Sequence, residues 1–103
     1  MHNVYSVSWV NAYVKSMISQ DFMLQSLYVK GEASNVKYHS SGHLYFTLKD
    51  NKCAMACVMF AGNRGGLKFR LEEGMQIVVQ GSMDIYERDG RYQLYAKEIT
   101  LAG

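Results

Sequence analysis

An all-β barrel of five strands, preceded by one short helix, is the fold class this sequence predicts, on three observations. Long runs alternate apolar with polar residues, the pattern of half-buried strands. Proline is absent, so those runs can pair without losing ladder donors. Asp89–Gly90 stands between two alternating runs, a strong hairpin signal.

The elements follow in order. Residues 8–19 read as an amphipathic helix, with Val10, Val14, Met17 and Ile18 at helical spacing. Ser8 is the predicted N-cap, although Asn11 stands where a capping-box Glu would sit. The helix is expected to plug one face or end of the sheet. From Leu24 the period changes to two: Leu27, Val29, Gly31 and Ala33 face inward, and Tyr28, Lys30, Glu32 and Ser34 outward. Gly31 marks a bulge or sharp coil that lets one long strand serve both halves of a barrel.

A polar loop at Lys37–Gly42 opens into the second strand. Leu44, Phe46 and Leu48 form its core row; His43, Tyr45, Thr47 and Lys49 form the opposite row. After an Asp50–Asn51–Lys52 turn, the third strand spans Cys53–Phe60. It has Met55, Cys57 and Met59 on one face and Ala54, Ala56, Val58 and Phe60 on the other. Gly62–Arg70 reads as a loop with a short helical turn. The fourth strand starts at Met75, and the fifth runs from Arg91 to about Ile99. Five strands, a break after the third and a final hairpin match the OB-fold, a Greek-key barrel. An SH3-like barrel is the rival, but its strands are shorter and it lacks the insertion.

At 103 residues the chain is one domain with one core. Thirteen aromatics, eight of them Tyr, make the chain richer in stacking surface than in charge, and the net charge of +2 is a weak signal of any partner. Cys53 and Cys57 share an apolar run, too far apart on one strand to bond, and are expected to be buried reduced thiols. Neither a membrane span nor a signal peptide is visible, so the expected compartment is the cytoplasm.

The candidate site is the outer wall of strands two and three. Tyr45 and Phe60 offer rings for bases, and Thr47 and His43 offer hydrogen bonds. Lys37, His39, Lys49, Arg64, Arg88 and Arg91 offer contacts to phosphates from the strands and loops that rim the wall. The plainer reading of Phe60 is apolar cover beneath Gly62–Arg70; that of any single basic residue is a solvated loop cation. The joint placement of the basic residues around one face is better evidence than any one of them.

Catalytic and metal chemistry find little support. His39 and His43 have ligand spacing, but only Asp50 lies near as a third donor, so loop-fixing hydrogen bonds suit them better and no metal is expected. Ser41, His43 and Asp50 are explained by loop and strand-end roles rather than by a hydrolytic triad. The glycines at 62–66 lack the Lys-Ser/Thr ending of a P-loop, and Glu72 and Glu73 read as a solvated turn. No cofactor is expected.

Three segments carry a family resemblance: H-S-S-G-H-L-Y-F-T-L-K-D at 39–50, A-C-V-M-F at 56–60 and Y-E-R-D-G-R-Y-Q-L-Y at 86–95. With the opening V-Y-S-V-S and the closing L-A-G, the chain resembles the N-terminal domain of exodeoxyribonuclease VII large subunits. That resemblance implies a bacterial, cytoplasmic parent that hydrolyses single-stranded DNA to oligonucleotides. It implies a catalytic domain and a small-subunit assembly region beyond residues 1–103, which would be a non-catalytic, DNA-gripping fragment. Ala56 and Ala61 depart from the pattern, standing where basic residues would be expected. A docking or dimerisation module and an anticodon-type RNA-binding barrel are the alternatives.

Overall fold

The computed structural model describes residues 2–103. A helix, α1 (Val7–Gln20), precedes five strands: β1 (Leu27–Tyr38), β2 (Leu44–Lys49), β3 (Ala54–Met59), β4 (Gln76–Tyr86) and β5 (Arg91–Leu101). They close into a barrel in the order β1-β2-β3-β5-β4. All neighbours are antiparallel except β3 and β5, which run parallel through Cys57–Leu94 and Val58–Tyr95. Closure removes the exposed sheet edges that an open sheet of this size would present.

Inward rows meet as the alternation requires. Leu44, Met59, Leu71, Ile77, Val79, Leu94 and Ile99 are all at most 1% exposed and fill the centre. Each such aliphatic side chain contributes roughly 1.5–3 kcal/mol through burial. A 3-10 turn at Ala61–Gly66 and the following Leu67, which bridges to Ile99, connect β3 to β4 across the barrel. Gly66 is required there: a Cβ would fall 1.9 Å from the Lys97 carbonyl oxygen.

β1 serves both halves of the barrel, pairing with β4 from Leu27 to Glu32 and with β2 from Glu32 onward. The bulge, however, is not at Gly31. That glycine is needed because β2 passes so close that a Cβ would sit 2.9 Å from Leu48 Cγ. The register breaks instead between Ser34 and Lys37, where Asn35 adopts φ 50°, a left-handed conformation that Asn tolerates. Glu73 secures this bulge by accepting the Asn35 and Val36 N–H groups at 3.1 and 2.6 Å. Glu73 is thus a structural cap rather than part of a merely solvated turn.

Two further expectations are corrected. The N-cap is Ser6, not Ser8: Ser6 has extended φ/ψ and its hydroxyl accepts the Trp9 N–H at 3.1 Å. Ser8 falls inside the first turn and meets Ser6 Oγ instead. Of the two thiols, only Cys57 is buried; Cys53 lies in the turn before β3 and is exposed.

α1 leans on the barrel through few contacts. Ile18 packs against the core, Lys15 pairs with Asp84 at 2.8 Å, and Asn11 donates to the Glu87 carbonyl at 2.8 Å. None of its residues is fully buried. An apolar cavity of about 450 Å³ remains between Val14, Ile18, Leu27, Met55, Ile85 and Tyr92. Tyr5, Trp9 and Tyr13 stack along the exposed side of the helix. No helix among the described residues is long and apolar enough to cross a membrane.

Candidate nucleic-acid interface

Strand parity builds the wall. Leu44, Phe46 and Leu48 turn into the core, which obliges Tyr45, Thr47 and Lys49 to face out. Tyr45 lies opposite Val58, and Val58 pairs in turn with Tyr95 of β5. Three side chains therefore stand abreast across three strands. Val58 was expected to be an exposed outer residue, yet it is only 2% exposed and lies outside the core cluster. Flanked by two tyrosines, it forms the apolar floor of the wall.

Phe60 ends that wall. Its ring stacks on Tyr95 at 5.5 Å and 29° and meets His43 edge-on at 5.2 Å. His39 and His43 both approach Tyr45 edge-on, at 6.1 and 6.4 Å. Phe60 and Tyr45 remain 43% and 38% exposed, so faces are left for a ligand. Phe60 is therefore not interior cover for the Ala61–Gly66 turn.

Both histidines are fixed by backbone N–H groups, His39 within its own loop and His43 by the Ala61–Gly66 turn. His43 Nδ1 accepts the Ala61 N–H at 2.9 Å, and His39 Nδ1 accepts the Ser41 N–H at 3.1 Å. An accepting Nδ1 assigns the neutral ring its proton at Nε2, a donor on the side away from the loop. The loop and the turn thus orient two rings and two donors together. Thr47 adds a hydroxyl opposite Ala56 further along the wall.

The predicted cations divide into two groups. Lys37 is exposed directly across from Tyr45, and Arg64 reaches the same corner, donating Nη1 to the Gly42 carbonyl at 3.1 Å. Lys49, Arg88 and Arg91 are elsewhere. Because β5 runs parallel to β3, the 86–91 hairpin lies beyond the start of β3, roughly 20 Å from Phe60 by strand rise. Lys49 is also at that end and pairs with Glu32 at 3.6 Å.

Two residues of the corner escaped sequence reasoning. Tyr95 alternates with the buried Leu94 and Ala96, so it is legibly outward; only the β3–β5 neighbour relation of the barrel places it on the wall. Arg70 places its guanidinium 4.4 Å from the Tyr38 ring centroid, and Arg64 lies 5.1 Å from the same ring. Nothing in the local pattern announces that convergence.

Burial and hydrogen bonding shift three groups of the barrel. Burial pushes the Cys57 thiol up to about 12, which keeps it protonated and inert at neutral pH. Burial, and then the nearby Asp84 charge, raise the Tyr95 phenol, so it remains a neutral ring. N–H bonds from Lys52 and Cys53 hold the Asp50 carboxyl below its usual range, as a turn cap. No group of three or more His, Cys, Asp or Glu among the described residues could hold a metal ion.

A closed five-stranded barrel with aromatic rings on its β2–β3 wall and cations at its rim has the form of an oligonucleotide-binding barrel. The family described as "OB-fold nucleic acid binding domain" matches residues 5–100, and the chain belongs to it. The chain is 62% identical over all 103 residues to the exodeoxyribonuclease 7 large subunit of Lachnoclostridium phytofermentans, covering 26% of that protein. It is 50% identical over 98 residues (95% of the chain) to that of Clostridium perfringens, covering 24% of it. The chain thus spans about a quarter of the length of these curated relatives. Among solved structures, asparaginyl-tRNA synthetase from Pyrococcus horikoshii complexed with asparaginyl-adenylate superposes with TM-score 0.59 at 11% identity. That match covers 76% of this chain and 19% of the synthetase, and it shows the fold alone.

Proposed function

We infer that this chain is the single-stranded-DNA-binding module of an exodeoxyribonuclease VII large subunit. It holds the strand for a nuclease domain elsewhere in the parent, where small subunits also assemble, and it cuts nothing itself. The parent works in the cytoplasm. The observation that carries this reading is the wall of Tyr45, Val58 and Tyr95 ending at Phe60, with Lys37 and Arg64 at its rim. Bases stacked on exposed rings gain about 1–3 kcal/mol each without regard to sequence. Cations at the rim meet the phosphates and make binding salt-dependent.

A fluorescence titration of the 103-residue chain with labelled oligo-dT tests this. The expected result is loose binding that weakens with added salt and is lost when Tyr45 and Phe60 are both replaced by Ala. Binding indifferent to salt, or surviving that double replacement, contradicts it. Incubation should leave a labelled single strand intact; shortening of the strand contradicts the non-catalytic assignment. Oligo-U serves as a control, because preference for RNA needs contacts to the 2′-hydroxyl.

One observation favours a second reading, a docking module. α1 leaves Trp9, Val10, Tyr13 and Met17 exposed, an apolar stripe unusual for a free surface. Light scattering separates the two: a dimer whose formation blocks the oligonucleotide makes docking the primary role.

A further inference from the structure

The corner where the Gly42 loop meets the Ala61–Gly66 turn concentrates positive charge in an unusual way. Arg64 and Arg70 bring their guanidinium carbons to one ring, that of Tyr38, at 5.1 and 4.4 Å from its centroid. Two cations sharing one ring repel each other, and a neighbouring carboxylate would relieve that repulsion. Here neither arginine forms an ion pair among the described residues. Glu72 and Glu73 border the same shallow cavity as Arg70, but both Glu73 oxygens are taken by the N–H groups of Asn35 and Val36.

The ring of Tyr38 holds both arginines, and no carboxylate pairs with either among the described residues. Arg64 donates Nη1 to the Gly42 carbonyl and keeps its Nε buried, out of a ligand's reach. Tyr38 is itself fixed, donating its hydroxyl to the Leu71 carbonyl at 3.0 Å. Attraction to the Tyr38 ring therefore restrains both guanidinium groups before a ligand arrives, which lowers the ordering cost of binding. The corner is continuous with the aromatic wall: Gly42 precedes His43, whose ring touches Phe60.

We propose that Arg64 and Arg70, seated on Tyr38, form the phosphate grip of this domain, taking adjacent phosphodiester groups of the strand whose bases stack on Phe60 and Tyr45. The proposal rests on the single-strand reading above and names the end of the wall where the backbone is held. Guanidinium geometry matters here, because its planar fork matches phosphate oxygens in a way an ammonium does not.

The test is the salt dependence of oligo-dT binding for the wild-type chain and the Arg70→Gln, Arg70→Lys and Arg64→Gln/Arg70→Gln variants, with melting curves to confirm folding. Each lost phosphate contact should reduce the magnitude of the slope of log K against log salt by about 0.7. Arg70→Gln is expected to show that change with severalfold weaker binding, and the double variant about twice the change. Arg70→Lys should keep the slope but lose affinity. Arg70 does not touch Gly42, so its variants test the grip without disturbing the loop. An unchanged slope and affinity in Arg70→Gln, with Phe60→Ala still weakening binding, overturns the grip and leaves the single-strand reading standing. Absence of oligo-dT binding by the wild-type chain overturns both.

Discussion

The two ends of the barrel are built from similar residues and behave differently. At the end formed by the Gly42 loop and the Ala61–Gly66 turn, Lys37, Arg64 and Arg70 have no ion pair among the described residues, and exposed rings lie beside them. At the opposite end, Lys15 is paired with Asp84 and Lys49 with Glu32, whereas Arg88 and Arg91 have no ion pair among the described residues and stand beside Glu87, Asp89 and the exposed Tyr86 and Tyr92. That end is also where α1 leans over an apolar cavity. A net charge of +2 conceals this asymmetry. What sets the first end apart is arrangement rather than number: two guanidinium groups share the Tyr38 ring, and Phe60 stacks on Tyr95 beside them.

The largest loss is expected from a substitution at Gly66. Gly66→Ala drives a Cβ against the Lys97 carbonyl and should displace the turn that carries Arg64. A stability loss of about 2–3 kcal/mol is expected by thermal melting, together with loss of oligonucleotide binding. Phe60→Ala comes next, weakening oligo-dT binding by about 1–2 kcal/mol in a titration while leaving the melting curve nearly unchanged. Replacing Arg88 and Arg91 together by Gln should alter affinity by less than about threefold, since long-range attraction alone is lost. A larger effect than that of Phe60→Ala would erase the distinction between the ends.

The smallest effect belongs to the partly exposed Lys15–Asp84 pair. Its hydrogen bond to Asp84 raises the Lys15 amine above its ordinary value. A raised cationic group contributes stability fully below its unfolded pKa, and loses it as pH rises through the folded value. Lys15→Met should therefore cost about 0.5 kcal/mol at neutral pH, and the deficit should disappear in alkali. Melting curves of both proteins across that range provide the check. Alkylation offers an independent test of the core: the exposed Cys53 should react in the folded chain, and Cys57 only after unfolding.

Much of this architecture was legible in the sequence. Alternation fixed the inward rows of β2 and β4 and hence the outward turn of Tyr45, and Asp89–Gly90 located the final hairpin. What could not be read were relations between distant segments. Val58 has outward parity but is covered because its neighbours on two other strands are tyrosines. The bulge at Asn35 depends on a carboxylate from Glu73, 38 residues away. Arg70 joins Arg64 on Tyr38 through the path of the connecting segment, which carries no repeating pattern. The predicted basic rim was likewise a list of residue types, and only the parallel β3–β5 pair separates Arg88 and Arg91 from the rest.

Backbone amide shifts of the 103-residue chain, followed by NMR as oligo-dT is added, test the central claim most directly. Shifts are expected at His43, Tyr45, Val58, Phe60, Arg64, Arg70 and Tyr95, with the 86–91 hairpin and α1 nearly silent. Shifts centred on α1 or the hairpin, or none at a saturating concentration, would contradict that claim.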